Sequence, residues 1–317
     1  MKGLVLAAGE GRRMQPLSDF IPKPLLPLLN RPVLDWIISS LREAGINEIG
    51  VVISPAIPSS KLEALDCEFF VQEEPLGVGA AILEAEKWLD SSTFLVCAGD
   101  SVFPSAFLRK FVQHHLTESP DVTIATEVVS WPIMGEKSCV ILDEKGNVKR
   151  IIEKPAREEA EGDLAAAPIF IFKQSILSEL KIAKSSPRGE IEVQATIQSI
   201  IDEGGRVVSI ASTRWVHLSD PKDLFNANMY LLEQKESKGE IEPLKKDGYH
   251  SPAIIASSAK IGENCIIGPR VVIGDRATVS PGVHLQDVLV LPDTEVQSSF
   301  KNAILWPKGV FPMTANC

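Results

Sequence analysis

A six-residue repeat near the C-terminus limits the folds open to this chain more than any other feature. Seven aliphatic residues recur at intervals of six without interruption: Ile255, Ile261, Ile267, Ile273, Val279, Leu285 and Leu291. Glycine directly follows three of them, at positions 262, 268 and 274. An apolar residue at every sixth position, with small or turn residues between, is typical of a parallel β-helix. Since three hexads complete one triangular coil, the repeat predicts a short β-helix of a little over two coils.

The part of the chain before the repeat alternates between strand patterns and helix patterns. Residues 2–8 form a nearly continuous apolar run, as expected of a strand buried on both faces of a sheet. Predicted helices cover residues 32–44, 78–89, 104–116, 190–202 and 221–235. Predicted strands cover residues 48–53, 67–71, 93–98, 121–129, 138–142, 148–152, 164–172 and 206–211. Because the middle strands follow one another without helices, we predict a doubly wound α/β sheet of mixed strand direction.

A polar segment separates these two regions. Residues 234–249 carry runs of charge together with Gly and Pro, a composition typical of a linker. We therefore predict a first domain at residues 1–236, a linker at 237–250 and a β-helix domain at 251–317. The length of 317 residues agrees with two domains at about 150 residues each.

Charge and cysteine content exclude several classes of protein. Lys plus Arg is 32 and Asp plus Glu is 42, a net charge of −10 that argues against a nucleic-acid binder. The first apolar run, residues 4–8, is far shorter than the ~20 residues of a membrane span. The five cysteines share no short spacing, so we expect neither a disulfide framework nor a cysteine metal site. Together these features predict a cytoplasmic protein with reduced thiols.

The loop after the first strand carries an anion-binding pattern. It contains Gly9 and Gly11, followed by Arg13 and, within a Pro-Lys-Pro sequence, Lys23. Glycine lets backbone amides approach a phosphate closely, and the two cations add positive charge at a strand's carboxyl end, where open α/β sheets bind ligands. The spacing matches neither the Walker A motif nor the dinucleotide fingerprint. A plain strand-to-helix turn is the alternative interpretation of the glycines alone.

Three further segments follow predicted strands and carry polar side chains. Gln72 precedes a Pro-x-Gly turn ending at Gly77, and its carboxamide could pair with the edge of a base. Asp100 follows a buried strand and a glycine, which suits a carboxylate that holds Mg²⁺ against phosphate oxygens, although a helix N-cap is the alternative. Glu153 and Lys154 could bind sugar hydroxyls and a sugar phosphate, or could simply be a solvated strand end.

Taken together, these motifs resemble those of the sugar-phosphate nucleotidylyltransferases, most closely the long form of glucose-1-phosphate thymidylyltransferase. The resemblance covers essentially the whole chain and rests on residues 6–17, 22–27, 30–33, 50–55, 72–77, 99–100, 153–155, 188–190 and 221–228. It implies a nucleotide-diphospho-sugar transferase fold followed by a left-handed β-helix. It also implies transfer of a nucleotidyl group from a nucleoside triphosphate to a sugar 1-phosphate, with release of pyrophosphate.

The resemblance also implies a role for each matching residue. The backbone at Ala8, Gly9 and Gly11 would cradle the base, ribose and phosphates, and Arg13 and Lys23 would stabilise charge on the triphosphate and pyrophosphate. Base recognition would fall to Gln72 and Gly77, Mg²⁺ binding to Asp100, phosphate binding to Lys154, and sugar hydroxyls to Glu153 and Glu190. Mn²⁺ is an alternative to Mg²⁺, and dTTP or UTP is the favoured nucleotide.

The chain departs from the family pattern at the second metal ligand. Relatives carry Asp in a W-x-D-x-G-x-P context, where this chain has His217, with Ser219 and Asp220 following. Because imidazole suits metals softer than Mg²⁺, three interpretations stay open: a softer metal, ligation by Asp220 instead, or reduced turnover. His217 is therefore a candidate metal ligand whose presence predicts altered activity.

Residues expected near the sugar also differ from the family pattern. Pro168 occupies a glycine position of the family and has no backbone N–H to offer a sugar. Ser101, Gln194 and Ala195 also replace residues of the family pattern. These changes motivate an alternative function, a regulatory relative that binds nucleotide or nucleotide sugar without efficient catalysis. A hexapeptide-repeat acyltransferase is a third alternative. It requires more coils and a catalytic His, and the repeat offers only His284, which we expect to be a surface residue. Exposed β-helix coils predict a homo-oligomer.

Overall fold

The computed structural model describes residues 1–89, 93–186, 189–242 and 247–313. Two compact units are present, and neither is continuous along the chain. The first, here called the sheet unit, comprises Met1–Glu10 and Leu34–Val216. The second, here called the C-terminal unit, comprises Gly11–Val33 and the described residues from His217 onward.

The residues that the structure describes form twenty-two strands and seven α-helices. The strands are β1 (Lys2–Ala7), β2 (Pro27–Leu28), β3 (Arg31–Pro32), β4 (Ile49–Ile53), β5 (Glu68–Val71), β6 (Phe94–Ala98), β7 (Ser101–Val102), β8 (Val122–Val128), β9 (Ser138–Leu142), β10 (Val148–Glu153), β11 (Leu164–Phe172), β12 (Val207–Ala211), β13 (Val216–His217), β14 (Ala253–Ile255), β15 (Lys260–Ile261), β16 (Ile266–Ile267), β17 (Val271–Ile273), β18 (Thr278–Val279), β19 (His284–Val290), β20 (Glu295–Val296), β21 (Phe300–Trp306) and β22 (Gly309–Pro312) among the described residues. The helices of that same part are α1 (Val33–Glu43), α2 (Val78–Glu84), α3 (Glu86–Leu89), α4 (Ser105–Glu118), α5 (Ile176–Ile182), α6 (Val193–Asp202) and α7 (Pro221–Ser237).

The sheet unit is built on one mixed sheet with the order β10-β9-β11-β6-β1-β4-β5. Strands β6, β1, β4 and β5 are parallel neighbours, whereas β11 runs antiparallel to β6, β8 and β9. Strand β12 pairs in parallel with β8. The carboxyl ends of β1, β4, β5 and β6 therefore meet at one edge, where polar side chains of the following loops can gather.

The apolar strand runs form the core of this sheet, as the sequence predicts. Leu4 and Val96 are buried, and the helical side chains Ile82, Leu180 and Ile197 belong to the same cluster. The mixed α/β sheet is thus confirmed, including the antiparallel strands in the middle of the chain. None of the helices in the described ranges has the length and apolar character to cross a membrane.

The C-terminal unit contains parallel ladders that follow the six-residue repeat. Ala253 pairs with Val271 and Ile266 pairs with His284, each three hexads further along the chain. Five of the seven repeat residues are buried and two are partly buried: Ile267, Ile273, Val279, Leu285 and Leu291, then Ile255 and Ile261. The chain closes with the antiparallel pair β21–β22. A C-terminal sheet domain is present, while the left-handed β-helix stays a prediction.

Two predicted helices differ from the structure. The helix predicted for residues 78–89 is divided at Ala85, whose N–H bonds to the carbonyls of Ile82 and Leu83 and so tightens the chain there. The helix predicted from residue 190 begins only at Val193, because Ile191 exchanges backbone hydrogen bonds with the loop before α2. Helix α5 and the hairpin β2–β3 were not expected from the sequence pattern.

Parts of three sequence predictions lie outside the described residues. They are positions 243–246 of the predicted linker, Arg188 of the family pattern and Cys317. The other four cysteines are free thiols, as expected.

Candidate functional site

The carboxyl ends of β1 and β6 approach each other closely because of Gly99. Its N–H donates to the Leu6 carbonyl at 2.8 Å. A Cβ at this position would lie 2.7 Å from the Cβ of Ala7, so only glycine fits. Ala8 and Asp100, each one residue further on, thus emerge from neighbouring strands at the same edge of the sheet.

Asp100 lies in the turn between β6 and β7, where its carboxylate accepts a hydrogen bond from the Ser101 hydroxyl at 3.0 Å. The N-cap of α4 is Pro104, so Asp100 does not cap that helix. The charge of Asp100 also adds to burial in raising the pKa of the Cys97 thiol to about 12, with burial the larger cause. Asp100 is thus a partly exposed carboxylate without a structural capping role.

The described residues contain no cluster of three or more His, Cys, Asp or Glu side chains suited to a metal ion. Mg²⁺ in phosphoryl-transfer sites typically takes one or two carboxylates from the protein and its other ligands from phosphates and water. Asp100 fits that donor pattern with its single carboxylate. A metal held entirely by protein side chains does not fit.

Gln72 and Gly77, the residues predicted to recognise the base, lie close together. The Gln72 side chain is only 7% exposed, and its Nε2 lies 3.4 Å from the Gly77 carbonyl oxygen. Gly77 has φ +98, and a Cβ there would come within 2.9 Å of the Glu190 Cβ. The loop before α2 therefore packs directly against the segment that carries Glu190.

Backbone hydrogen bonds join these two segments. The Ile191 N–H donates to the Leu76 carbonyl at 2.9 Å, and the Gly79 N–H donates to the Ile191 carbonyl at 2.8 Å. This pairing explains why residues 190–192 are not helical. It also places Glu190 next to the predicted base-recognition loop.

Glu153 belongs to a partly buried side-chain network that the sequence did not predict. The Ser138 hydroxyl donates to Glu153 Oε2, and Gln194 Nε2 donates to the same Ser138 oxygen at 3.0 Å. Ser138 starts β9 directly opposite Glu153 at the end of β10. Glu153 is therefore held in place, which excludes the interpretation of a freely solvated strand end.

Lys154 lies beside a second lysine. Its N–H donates to the Lys137 carbonyl at 2.9 Å, and its φ of +47 turns the chain sharply at the end of β10. The Lys137 ammonium pairs with Glu127 and lies 5.7 Å from the centre of the Trp215 ring. The backbone at Lys154 is thus tied to Lys137, whose side chain pairs with Glu127.

Pro168 lies in β11 at an irregularity of the sheet. The β11–β8 ladder jumps from Ala166 to Phe170. Since Pro168 cannot donate to a ladder, the irregularity accommodates it, as proline in a sheet requires.

Gly11 and two of the predicted cations belong to the C-terminal unit. Gly11 has φ +66, and its carbonyl accepts from the Ser18 hydroxyl at 3.1 Å. Lys23 starts a short 3₁₀-helix, and its Cβ lies 3.2 Å from the position of a Cβ on Gly11. Arg13 lies exposed in the 3₁₀-helix Arg12–Met14.

His217 lies next to the N-terminus of α7 in the same unit. Its Nε2 is 2.9 Å from the Ser219 hydroxyl. Asp220 is the N-cap of α7 and accepts from the Asp223 N–H at 3.0 Å, while Asp223 accepts from the Ser219 N–H at 2.8 Å. Asp220 therefore stabilises the helix start, which is a structural task that competes with metal ligation.

Two residues of this region, Ser138 and Gln194, were not identified as functional from the sequence. Ser138 could have been found from the predicted hairpin of residues 138–152, because its register places the first strand's start opposite the second strand's end. For Gln194, the only indication in the sequence is that it replaces a residue of the family pattern. His284, in turn, borders an open pocket of about 350 Å³ with Gln286 and Lys301.

Comparison with known families matches both parts of the chain. A family model described as nucleotidyl transferase matches residues 2–234, and one described as GMPPB C-terminal domain matches residues 249–305. A mannose-1-phosphate guanyltransferase of Aspergillus fumigatus is 31% identical over 313 residues, covering 94% of this chain and 83% of the relative.

Two further relatives have other names. A low-salt glycan biosynthesis nucleotidyltransferase of Haloferax volcanii is 28% identical over 332 residues, covering 94% of this chain and 90% of the relative. A glucose-1-phosphate thymidylyltransferase of Streptomyces griseus is 27% identical over 311 residues, covering 94% and 86%. Among solved structures, UDP-glucose pyrophosphorylase complexed with UDP-glucose superposes with a TM-score of 0.64 at 20% identity, over 74% of this chain and 98% of that one. This last likeness concerns the fold alone.

Proposed function

The chain belongs to the sugar-phosphate nucleotidyl transferase family, and we propose that it joins a sugar 1-phosphate to a nucleoside triphosphate, dTTP or UTP, with release of pyrophosphate. The observation that carries the proposal is the held carboxylate of Glu153 next to Lys154, in the same unit as Asp100 and the Gln72 loop. This combination provides donors and acceptors for a sugar, a cation for its phosphate and a carboxylate for a metal ion.

The proposed reaction requires the protein to position the two substrates and to stabilise developing negative charge. An oxygen of the sugar phosphate, already ionised at pH 7, attacks the α-phosphorus of the triphosphate, and the bond to pyrophosphate breaks. No general base is needed, so catalysis rests on alignment and on stabilising the negative charge that develops. Arg13 and Lys23 would supply positive charge to the triphosphate and to the leaving pyrophosphate. The backbone at Ala8, Gly9 and Gly11 would hold the nucleotide.

Asp100 would hold a divalent cation, Mg²⁺ or Mn²⁺. When bound, such an ion neutralises phosphate charge. We propose His217 as an additional ligand, and since imidazole is a poor ligand for Mg²⁺, we expect turnover with Mn²⁺ to exceed that with Mg²⁺. Asp220 is a weaker candidate, because it caps α7.

The sugar would be bound by the sheet unit. Glu153 and Glu190 would accept hydrogen bonds from sugar hydroxyls, and Lys154 would bind the phosphate. Ser138 and Gln194 orient Glu153 and so add to the sugar selectivity. Gln72 and Gly77 would form the base-recognition loop.

The remaining predictions concern the whole chain. We propose a domain at residues 1–236, a linker at 237–250 and a domain at 251–317 as divisions along the chain. These bounds differ from the compact units, in which Gly11–Val33 and the described residues from His217 onward group together. We also propose that the domain at 251–317 is a left-handed β-helix and that the protein forms a homo-oligomer. Size determination by light scattering tests the last point, since a monomer mass of 34.5 kDa would contradict it.

The function is tested by incubating the protein with each nucleoside triphosphate and a panel of sugar 1-phosphates, with Mg²⁺ or Mn²⁺, and measuring pyrophosphate release. We expect turnover with dTTP or UTP and at least one sugar 1-phosphate. No pyrophosphate from any pair, combined with a rise in melting temperature on adding nucleotide, would instead support the regulatory alternative.

Asp100→Asn gives a sharper version of the same test. We expect it to lower kcat about 100-fold or more, because removing a single charged group aimed at the transition state costs that much in other enzymes. Asp202→Asn is the matched control, since Asp202 is an exposed carboxylate at the end of α6 that bonds only to Gln198 among the contacts the structure gives for it. Equal activity of the two variants would argue against Asp100 as a metal ligand.

A further inference from the structure

We propose that the hairpin β2–β3 connects Lys23 to the C-terminal sheet, and that Asn30 at its tip is a positioning residue for Lys23. The inference rests on the proposed function, in which Lys23 stabilises charge on the triphosphate. In this proposal the C-terminal sheet supplies no catalytic residue but helps to hold Lys23 in place.

The hairpin is a tight turn with a defined shape. Pro27 pairs with Pro32 and Leu28 pairs with Arg31, which leaves Leu29 and Asn30 as the two turn residues. Both have positive φ, +49 at Leu29 and +64 at Asn30. Two consecutive left-handed residues are what the favoured two-residue hairpin turn needs, and asparagine accepts that conformation much better than most residues. The tip of the hairpin is therefore held in one conformation.

Asn228 of α7 anchors one side of the hairpin. Its Oδ1 accepts from the Leu29 N–H at 2.8 Å, and its Nδ2 donates to the Pro27 carbonyl at 3.1 Å and the Leu224 carbonyl at 2.9 Å. The side chain is 0% exposed. A buried amide with all these partners in place is a rigid connection, because losing one partner would leave a buried polar atom unsatisfied.

Asn30 anchors the tip to the C-terminal sheet. Its Nδ2 donates to the carbonyl of Ile273 at 2.8 Å. Ile273 is a buried residue of the six-residue repeat at the end of β17. The Asn30 Oδ1 is buried without a hydrogen-bond partner among the described residues. Half of this amide is thus unsatisfied, and its donor half is the group that ties the turn to the sheet.

Lys23 lies close to the hairpin along the chain. Only Pro24, Leu25 and Leu26 separate it from Pro27, and the Val33 N–H closes the base of the hairpin by donating to the Leu26 carbonyl at 3.0 Å. The Cβ of Lys23 lies 3.2 Å from the place that a Cβ on Gly11 would occupy, so Lys23 and the glycine loop are packed closely together. A shift of the hairpin would therefore move Lys23, and a rigid hairpin keeps its ammonium in one position.

Hydrogen exchange of backbone amides tests the connection without any need for turnover. Asn30→Gly removes the donor while keeping a residue that tolerates positive φ, so the turn itself is preserved. We expect faster exchange at residues 11–26 in this variant. Ser258→Ala is the control, because Ser258 bonds to Asp275 and Arg276 within the same unit and not to the hairpin in any contact the structure gives. Unchanged exchange at residues 11–26 in Asn30→Gly, or an equal increase in both variants, would overturn the proposal.

Steady-state kinetics test the link to Lys23. We expect Asn30→Gly to lower kcat about fivefold, the effect of one net hydrogen bond, with KM for the sugar 1-phosphate unchanged. In a Lys23→Ala background the same substitution should have no further effect on kcat, because its target is gone. A full fivefold loss in that background would overturn the assignment to Lys23. If the wild type shows no turnover, the proposed function fails, while the exchange experiment still decides whether the hairpin is tied to the sheet.

Discussion

The Ser138 hydroxyl determines the orientation of the Glu153 carboxylate. It is 5% exposed, donates to Glu153 and accepts from Gln194. A hydroxyl has one proton to give, so Glu153 must be the acceptor and the amide nitrogen of Gln194 the donor. The Glu153 carboxylate is thereby held in one orientation, which would reduce the entropy lost on binding the proposed sugar.

Replacing Ser138 by Ala should weaken sugar binding selectively. The substitution frees Glu153 and leaves Gln194 without its partner, so we expect KM for the sugar 1-phosphate to rise about fivefold, corresponding to ~1 kcal/mol for one hydrogen bond. KM for the nucleotide should not change. Ser199→Ala on α6 is the control, since that hydroxyl is exposed and bonds to the carbonyl one turn earlier. A rise in both KM values would point to general damage instead.

Gly77 provides a second test at the scale of one residue. A methyl group there would meet the Ile191 nitrogen at 3.0 Å, in addition to the strain of φ +98. Gly146→Ala is a matched control, because Gly146 has φ +82 but nothing within 4 Å of its Cβ position. We expect Gly77→Ala to raise KM for the nucleotide and to lower the melting temperature more than Gly146→Ala does. Equal effects of the two substitutions would show that backbone strain alone matters at both sites.

A single sequence can indicate which residues lie together when they are close neighbours along the chain. Gln72 and Gly77 lie five positions apart, and their proximity follows from a single turn. Ser138 and Gln194 could not be assigned in the same way, because they belong to different elements and their shared carboxylate, Glu153, belongs to a third. The spacing of residues along one sequence does not indicate contacts among side chains of three different elements.

At the scale of elements, His115 joins α4 to β8. It is 3% exposed, and its Nδ1 lies 2.7 Å from the Thr123 hydroxyl oxygen. Burial lowers the pKa of His115 to about 4, with the positive charge of Lys173 as a second cause. The folded protein therefore disfavours the protonated ring, whereas the unfolded chain binds a proton near the ordinary pKa of 6.5.

Stability should accordingly decrease as the pH falls from about 6.5 to about 4. The unfolded state binds the proton first, so the contribution of neutral His115 is present above pH 6.5 and is lost on the way to pH 4, by roughly 3 kcal/mol in total. Burial acts to raise the pKa of Asp121, but hydrogen bonds from the Arg206 N–H and from Lys173 outweigh it and lower that pKa. Asp121 therefore adds a loss of stability around and below its ordinary value of 3.8, at the acid end of this range. We expect His115→Gln to flatten the dependence of the urea midpoint on pH within this window. Gln113→Ala, an exposed change on the same helix, should leave the slope as in the wild type.

Element prediction was accurate for strands and less so at segment ends. Strands β9 and β11 match their predicted bounds, because an apolar run between turn residues marks both ends. The start of α6 was placed three residues early, since nothing in residues 190–192 signals that their backbone bonds to the loop before α2. The hairpin β2–β3 was missed for a related reason: its two strands are only two residues long and contain prolines.

At the scale of the whole molecule, the residues proposed for catalysis are divided between two units. Arg13 and Lys23 group with the C-terminal sheet, although they follow the first strand of the sheet unit by only a few residues. The sequence pattern predicts a boundary near residue 237 and gives no hint of this grouping. The reason is that Asn228 and Ile273, which hold the hairpin, lie some 200 or more positions away in the chain. Such contacts are specified by packing and not by local pattern.

Because Lys23 groups with the C-terminal unit, we predict that destabilising the core of that unit lowers enzymatic activity. Leu285 is a buried core residue of the C-terminal unit, and Leu285→Ala should cost about 2–5 kcal/mol of the stability of that unit. Because the loop of Lys23 belongs to the same unit, we expect activity to be lost at the temperature at which the C-terminal unit unfolds, while the sheet unit retains its helical circular dichroism. Leu116→Ala, at an exposed position of α4, should alter neither temperature. Activity that survives the unfolding of the C-terminal unit would contradict this prediction, and the hairpin would then have no part in positioning Lys23.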